Sequence, residues 1–259
     1  MLGEQTRAPD AIVAVDVGSS DDSADILVEA LGADRVHQMA APSGLTGFGE
    51  AVQAGVSTLS TEQVTETEWL WLLHDDSAPD PDCLSELLAA AQAHPRAVIL
   101  GAKARGWHDR RLLLEVGFTI TGSGRRFTDL DAREHDQGQH DARSEVHAVG
   151  SGGMLIRRDI WQALGGFDAA LPLYRDDLDL CWRVWRAGHE VRVVPAAVVH
   201  HREASFHGRR VGSTRPGLGH RLDRRGAVHT LLTHTPAWRL PLTSLRLLLG
   251  SFFSIVVSI

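Results

Sequence analysis

Two groups of carboxylates and a pair of histidines are the residues of this chain best placed to do chemistry. The first group closes an apolar run: residues 69–79 read WLWLLHDDSAP, so His74, Asp75 and Asp76 follow directly on a segment that must be buried. In open α/β sheets ligands bind beyond the carboxyl ends of the strands, which puts these three side chains at the lip of a sheet. Hard oxygen ligands there suit Mg²⁺ or Mn²⁺, which take one or two protein carboxylates and complete their shell with substrate phosphate. The plainer reading is a strand-to-helix turn in which Asp80 or Asp82 caps a helix over 83–93; capping needs one acid, and this turn offers several. The second group is Asp176, Asp177 and Asp179. Leu178, Cys181, Trp182 and Trp185 have helical spacing, so the three aspartates fall in a first turn, where the positive end of the macrodipole favours carboxylates. On position alone, capping and catalysis account for them equally well. Between the groups, Gly150, Gly152 and Gly153 let backbone approach a ligand where a side chain would obstruct it, and His200 and His201 end the apolar run 190–201.

The elements that must position these groups follow from hydrophobic periodicity. It predicts strands over 11–16, 35–39, 68–74, 97–103, near 112–120, 146–157, 190–194 and 197–201, and helices over 23–31, 47–58, 82–93, 158–164 and 176–187. Gly165 and Gly166 supply the left-handed stop of the fourth helix. Strands alternate with helices through the first hundred residues, which predicts a parallel sheet. Gly44, Gly47 and Gly49 before a helix lack dinucleotide-binding spacing and read as a helix entry near a phosphate pocket. The polar stretch 129–144, with His135 and His140, reads as a solvated loop. Trp69, Trp71, Trp161, Trp182 and Trp185 fall on apolar faces and read as core.

A chain of 259 residues with 43% hydrophobic content is long enough for one large α/β domain and an appendage. Cys83 and Cys181 have no near partner and read as buried thiols of a reducing compartment, and residues 1–10 are too polar for a secretory signal. The charge is uneven: after residue 201 nine arginines face two acids, a net of +7, which leaves −14 for residues 1–201 out of a total of −7. That acidic body argues against a nucleic-acid partner. The basic segment reads equally well as a solvated linker. Residues 247–259, LLLGSFFSIVVSI, carry no charge but are too few to span a bilayer. A basic stretch ahead of an apolar one fits the cytoplasmic face beside anionic lipid, with a packing helix as the close alternative.

Five of these segments, in order and spacing, resemble the inverting, nucleotide-sugar-dependent glycosyltransferases of family 2, over about residues 5–206. Asp16 with Gly18, Ser19 and Asp21 resembles that family's strand-end signature, and Leu73 to Asp76 its metal-binding DxD segment. Gly165 to Asp168 resembles its GGFDE segment, Asp176 to Leu180, with Arg183 and Gly188, its EDxDLxxRxxxxG segment, and Val199 to His201 its late histidine. The resemblance implies a GT-A fold, a Rossmann-like mixed sheet flanked by helices, in residues 1–206, with 207–259 as a basic linker and membrane-proximal helical segment. It also implies roles. Asp177 would be the general base that takes the acceptor hydroxyl's proton. Asp16 would contact the donor nucleoside, with His74 or Asp75 reaching its ribose or a metal-bound water. Asp76 and one of His200 and His201, with His200 preferred, would hold Mn²⁺ or Mg²⁺. Gly152, Gly153 and Asp176 would line the acceptor site. The partners implied are a nucleotide-sugar donor and a glycan or lipid-linked acceptor of the cell envelope.

The sequence departs from the pattern where His74 stands in place of the first DxD carboxylate and Asp176 in place of a glutamate. It also lacks the family's first strand, which is interior in a sheet of order 3-2-1-4; residues 1–10 look like the end of a first helix, and the expectation is a start that lies upstream. The alternatives are a non-catalytic binding module or fragment, and a nucleotidyltransferase. Phosphoryl transfer has little need of a base placed like Asp177, which argues against the latter.

Overall fold

The computed structural model describes residues 2–40, 47–59, 67–202 and 218–257, with side chains described except at 218 and 249–257. Strand β1 (Ala14–Val17) leads through helix α1 (Ser23–Leu31) into β2 (Val36–Met39), which pairs with β1 in parallel. Helix α2 (Phe48–Ser57) returns over β1, and the absence of a side chain at Gly55 lets it settle on Val13 and Val15. The expected cradle at Gly44 begins outside the described residues.

The main sheet is built from β3 (Trp69–Trp71), β4 (Ser77–Pro79), β5 (Ala97–Gly106), β6 (Leu113–Glu115), β9 (Met154–Arg157) and β10 (Glu190–His201). A short hairpin of β7 (Thr119–Ile120) and β8 (Arg126–Phe127) stands apart from it. The order is β3-β9-β5-β10-β4, with β6 beside β5; β10 runs parallel to β5, and the other pairs of this sheet are antiparallel. Ala97 to Leu100 are buried without interruption, as a central strand covered on both faces requires. Against one face lies α3 (Cys83–Ala93) through Cys83, Leu84 and Leu87; against the other lie α4 (Arg158–Leu164) and α5 (Asp176–Arg186) through Ile160, Trp161, Leu178, Cys181 and Val184. Leu87 and Leu178 are fully buried, and each side chain of that kind stabilises the fold by about 1.5–3 kcal/mol. The two cysteines are free and buried, and burial pushes the Cys83 thiol up to about 12; both are inert packing residues.

Two expectations change. The strand over 146–157 survives only as Met154–Arg157, because the 150–153 turn, with Gly153 at φ +138°, takes the preceding residues out of the ladder. The two strands expected over 190–201 are one, carrying a register shift between Val194 and Val198. Pro195 explains it, since it has no N–H to give the ladder. Strand β4 is too short to show alternation and carried no signal.

Among the described residues β1 pairs only with β2, and β3 only with β9, so two strand edges are left open where an order of 3-2-1-4 would place an interior strand. The first residues pack elsewhere: Gln5 donates through Nε2 to Asp80 O at 2.8 Å, and Thr6 N donates to Pro81 O at 2.8 Å. Residues 203–217, with the arginines at 209, 210 and 215, lie outside the described residues. From 218 the chain forms α6 (Leu218–His234) and, after a 3-10 turn at Ala237–Arg239, α7 (Leu240–Val257). Among the described residues no helix is long and apolar enough to cross a membrane.

Candidate functional site

The turn after β3 brings the first acidic group to the carboxyl edge of the sheet. His74 N donates to Ser77 Oγ at 3.1 Å, and Ser77 Oγ donates back to His74 O at 2.7 Å, which closes the turn around Asp75 and Asp76. The end of β10 lies alongside, since Arg202 N donates to Asp76 O at 3.0 Å. Successive side chains on a strand point to opposite faces, so the two histidines there separate. His201 turns toward the acidic turn, its Nε2 3.2 Å from Asp76 Oδ1 and 3.0 Å from His74 Nδ1. His200 is buried on the other face, with Nε2 3.2 Å from Asp80 Oδ1 and Nδ1 3.2 Å from Gly106 O. The expectation that put His200 beside Asp76 therefore does not hold: strand alternation assigns that place to His201.

One ligand atom each from His74, Asp76 and His201 lies within 4.8 Å of the others. Two imidazoles and a carboxylate form a donor set that a divalent cation fits. Asp75, in contrast, is exposed. His74 is held from two further sides, by Ser151 Oγ at 3.0 Å from its Nε2 and by the Phe48 ring edge-on at 4.3 Å. Gly152 lies directly beneath the cluster: a Cβ there would sit 3.2 Å from His74 Nδ1 and 3.3 Å from His201 Cδ2. Asp16, in β1, is buried and accepts from Ser19 N at 3.3 Å and from the Ser19 hydroxyl.

The second acidic group opens α5 as the periodicity predicts, but not as caps. The N-cap is Arg175, in a left-handed conformation at φ +69°, and no side chain caps the helix. Asp176, Asp177 and Asp179 are all buried. Burial pushes Asp176 and Asp177 upward as carboxyl groups, with mutual repulsion adding to it for Asp176 and Arg126 opposing it for Asp177. Glu115, at the end of β6, belongs to the same centre. It is buried, accepts from Gly150 N at 2.7 Å, pairs with Arg126, and is also pushed up, chiefly by burial and further by the charge of Asp177. The 150–153 turn thus bridges the two centres: Gly150 holds Glu115 on one side and Ser151 holds His74 on the other. Glu115 falls within the strand expected near 112–120 and Arg126 just beyond it, but no motif in the sequence marks either as a site residue.

Helix α6 is clamped to the segment that carries the buried aspartates. Arg175, itself buried, donates to Asp223 through Nε at 2.6 Å and Nη2 at 2.9 Å. His229 Nε2 lies 2.9 Å from Asp168 Oδ2, and His234 Nε2 lies 2.8 Å from Asp179 Oδ1. The His234 ring stacks on Trp182 at 4.6 Å and 8°. Burial alone would raise Asp179, but the bond to His234 and the Arg183 guanidinium hold it below the usual carboxylate range. The loop 129–144 is tied down as well, by Lys103 at 2.9 Å from Asp136 and 2.5 Å from Asp141; His135 and His140 pair with Asp109 and Glu134.

The family model of glycosyltransferase like family 2 matches residues 2–214. The N-acetylglucosaminyl-diphospho-decaprenol L-rhamnosyltransferase of Mycobacterium tuberculosis is 24% identical over 258 residues, covering 93% of this chain and 81% of its own. Among solved structures, GalNAc-T7 with UDP, GalNAc and Mn²⁺ aligns with a TM-score of 0.59 at 16% identity, over 87% of this chain and 43% of that one. TarS 1–349 of S. aureus with UDP aligns with a TM-score of 0.54 at 14% identity, over 95% of this chain and 63% of that one. The chain thus spans less than two thirds of either structure. At these identities the likeness is one of fold, the GT-A arrangement of a mixed sheet flanked by helices.

Proposed function

Given that this chain belongs to glycosyltransferase family 2 and is a sugar-transferring enzyme, we propose that it moves a sugar, with inversion, from a nucleoside-diphosphate donor to a hydroxyl of a lipid-linked saccharide of the cell envelope. The observation that carries this reading is the pairing of two centres across one turn: the His74, Asp76 and His201 cluster, and the buried Asp177 with Glu115. The donor class is supported by the UDP and UDP-GlcNAc bound in the structural neighbours, and the acceptor class by the decaprenol-linked acceptor of the mycobacterial relative.

In this reading Asp76, His201 and His74 hold a divalent cation, and the two imidazoles favour Mn²⁺ over the harder Mg²⁺. When bound, the cation supplies Lewis-acid neutralisation of the diphosphate that leaves. Asp177 accepts the proton of the acceptor hydroxyl as that oxygen attacks the anomeric carbon. Burial pushes its carboxyl upward, which makes it a stronger base than an exposed aspartate for that task. Arg126, paired with Glu115, opposes the upward push of burial on both Glu115 and Asp177. Asp16 and Asp75 face the donor, and Gly152, Gly153 and Asp176 line the acceptor side. A lipid-linked acceptor places the enzyme at the cytoplasmic face of a membrane, with residues 207–259 nearest to it.

Calorimetric titration of UDP, GDP and dTDP with Mn²⁺ identifies the donor nucleotide, and transfer from the matching nucleotide sugar is then compared between wild type and Asp177→Asn. The variant is expected to keep nucleotide binding and lose about 10²–10⁴ in rate, the size of a general-base contribution. A folded chain that binds none of the three, or an Asp177→Asn variant of undiminished rate, would refute the proposal.

A further inference from the structure

The corner between α6 and α7 holds an open hollow of about 230 Å³, lined by Gly122, Trp182, His234, Arg239, Thr243 and Arg246 among others. Arg239, Thr243 and Arg246 follow each other at helical spacing and present two guanidinium groups to it. One residue earlier, running from the 3-10 turn into α7, is a second strip, Trp238, Leu242, Leu245 and Leu248, and it is bare: these side chains are 74%, 51%, 53% and 70% exposed. Leu247, on the inner side, is buried, so α7 is docked on the domain by one face and turns the apolar strip outward. No acid occurs between residues 224 and 259, while arginines stand at 224, 225, 239 and 246. Large exposed apolar patches mark interaction sites rather than ordinary surface. An apolar strip beside a cationic one, here along the 3-10 turn and α7 that continues it, is the arrangement of segments that lie in the plane of a bilayer interface.

We infer that this corner docks on a membrane, with the phosphate of an anionic bilayer lipid between Arg239 and Arg246 and the strip from Trp238 to Leu248 sunk into the acyl boundary. The apolar strip accounts for a lipid rather than a soluble phosphate, because a soluble anion would leave those four side chains in water. Arg239 lies 4.3 Å over the Trp238 ring, so the cation and the interfacial aromatic are held together as one unit. The inference deepens the proposed reading, which needs the enzyme at a bilayer to reach a lipid-linked acceptor, and it adds the residues that make the contact. The hollow also touches His234 and Trp182, whose partner Asp179 lies two residues from Asp177, so the docked face adjoins the helix of the proposed base.

The test is co-sedimentation of the full chain with phosphatidylcholine vesicles, with and without phosphatidylglycerol, for wild type, the double variant Arg239→Gln, Arg246→Gln, and the double variant Leu242→Ser, Leu245→Ser. Wild type is expected to bind the anionic vesicles more tightly than the neutral ones. Removing two interfacial arginines weakens that binding by about thirtyfold. The leucine variant weakens binding to both vesicle types, and inorganic pyrophosphate does not displace the wild type. All these side chains are exposed, and a thermal melt of each variant confirms its fold. Absence of vesicle binding by wild type, an arginine variant equal to wild type, or displacement by pyrophosphate would overturn the inference. Calorimetric nucleotide binding by the same samples reads the transferase proposal separately, so either can fail without the other.

Discussion

Replacing His234 by alanine tests whether the C-terminal helix α6 is structural to the transferase domain. His234 and Asp179 bury their side chains to 1% and 2% exposure and meet at 2.8 Å. Losing a buried hydrogen bond to a charged group costs about 1.5–3 kcal/mol, and losing the stacked face of Trp182 adds about 0.5–1.5 kcal/mol. Arg183, 2.8 Å from Asp179 on the other side, remains and keeps that carboxylate paired. The expected loss is therefore about 3 kcal/mol, near the middle of the combined range. For a chain of this size that lowers the melting temperature by about 6–12 °C. Urea and thermal melts of the full chain measure it, and limited proteolysis shows whether α6 is released first. His234→Gln, which keeps a donor, should recover roughly half of the loss. A His234→Ala chain that melts within a degree of wild type would refute the reasoning, because α6 would then be a peripheral tether.

Other outcomes follow from the same geometry. Asp176, Asp177 and Glu115 have folded pKa values above their unfolded ones, so the folded state holds extra protons and stability falls as pH rises from about 4 through the raised range; Asp176→Asn should flatten that slope and stabilise the chain at pH 8 by about 1–3 kcal/mol, read from melts across pH. Asp179 has the opposite sign. Its folded value is depressed, so its contribution is present above pH 4 and is lost as pH falls through the depressed value, and the acid-unfolding midpoint should move up in His234→Ala. Lys103→Met leaves the buried Asp136 side chain with Arg105 as the cation still paired to it and should cost about 2–3 kcal/mol, with faster amide exchange across 129–144. Gly152→Ala should force the two imidazoles apart and weaken Mn²⁺ binding about tenfold in a folded chain, followed by the Mn²⁺ paramagnetic resonance signal.

Much of the fold was legible because its signals are local. The run 97–100 can only be a buried strand, Gly165 and Gly166 stop α4 where they stand, and Leu178, Cys181 and Trp182 set the face of α5. What escaped depends on contacts between distant segments. Pro195 joins two expected strands into one bulged strand, and Ser77 to Pro79 becomes a strand only because β10 lies beside it. The site divides in the same way. His74, Asp76 and Asp177 stand in recognisable strings, whereas Glu115 and Arg126 belong to no motif and influence Asp177 only through the three-dimensional fold. The choice between His200 and His201 turned on strand parity, which a two-residue string leaves open until the register of β10 against β4 is known. The basic C-terminal segment read as a linker by charge; the partners of Asp223, His229 and His234 lie on elements about fifty to sixty residues away, a separation no local pattern reveals.

The most direct test of the central claim is calorimetric titration of the identified nucleoside diphosphate with Mn²⁺ into wild type, Asp76→Ala, His201→Ala and His200→Ala. Metal-dependent binding that is lost in the first two variants and kept in folded His200→Ala is the predicted result. Binding that ignores the metal, or that survives both Asp76→Ala and His201→Ala, would contradict the account.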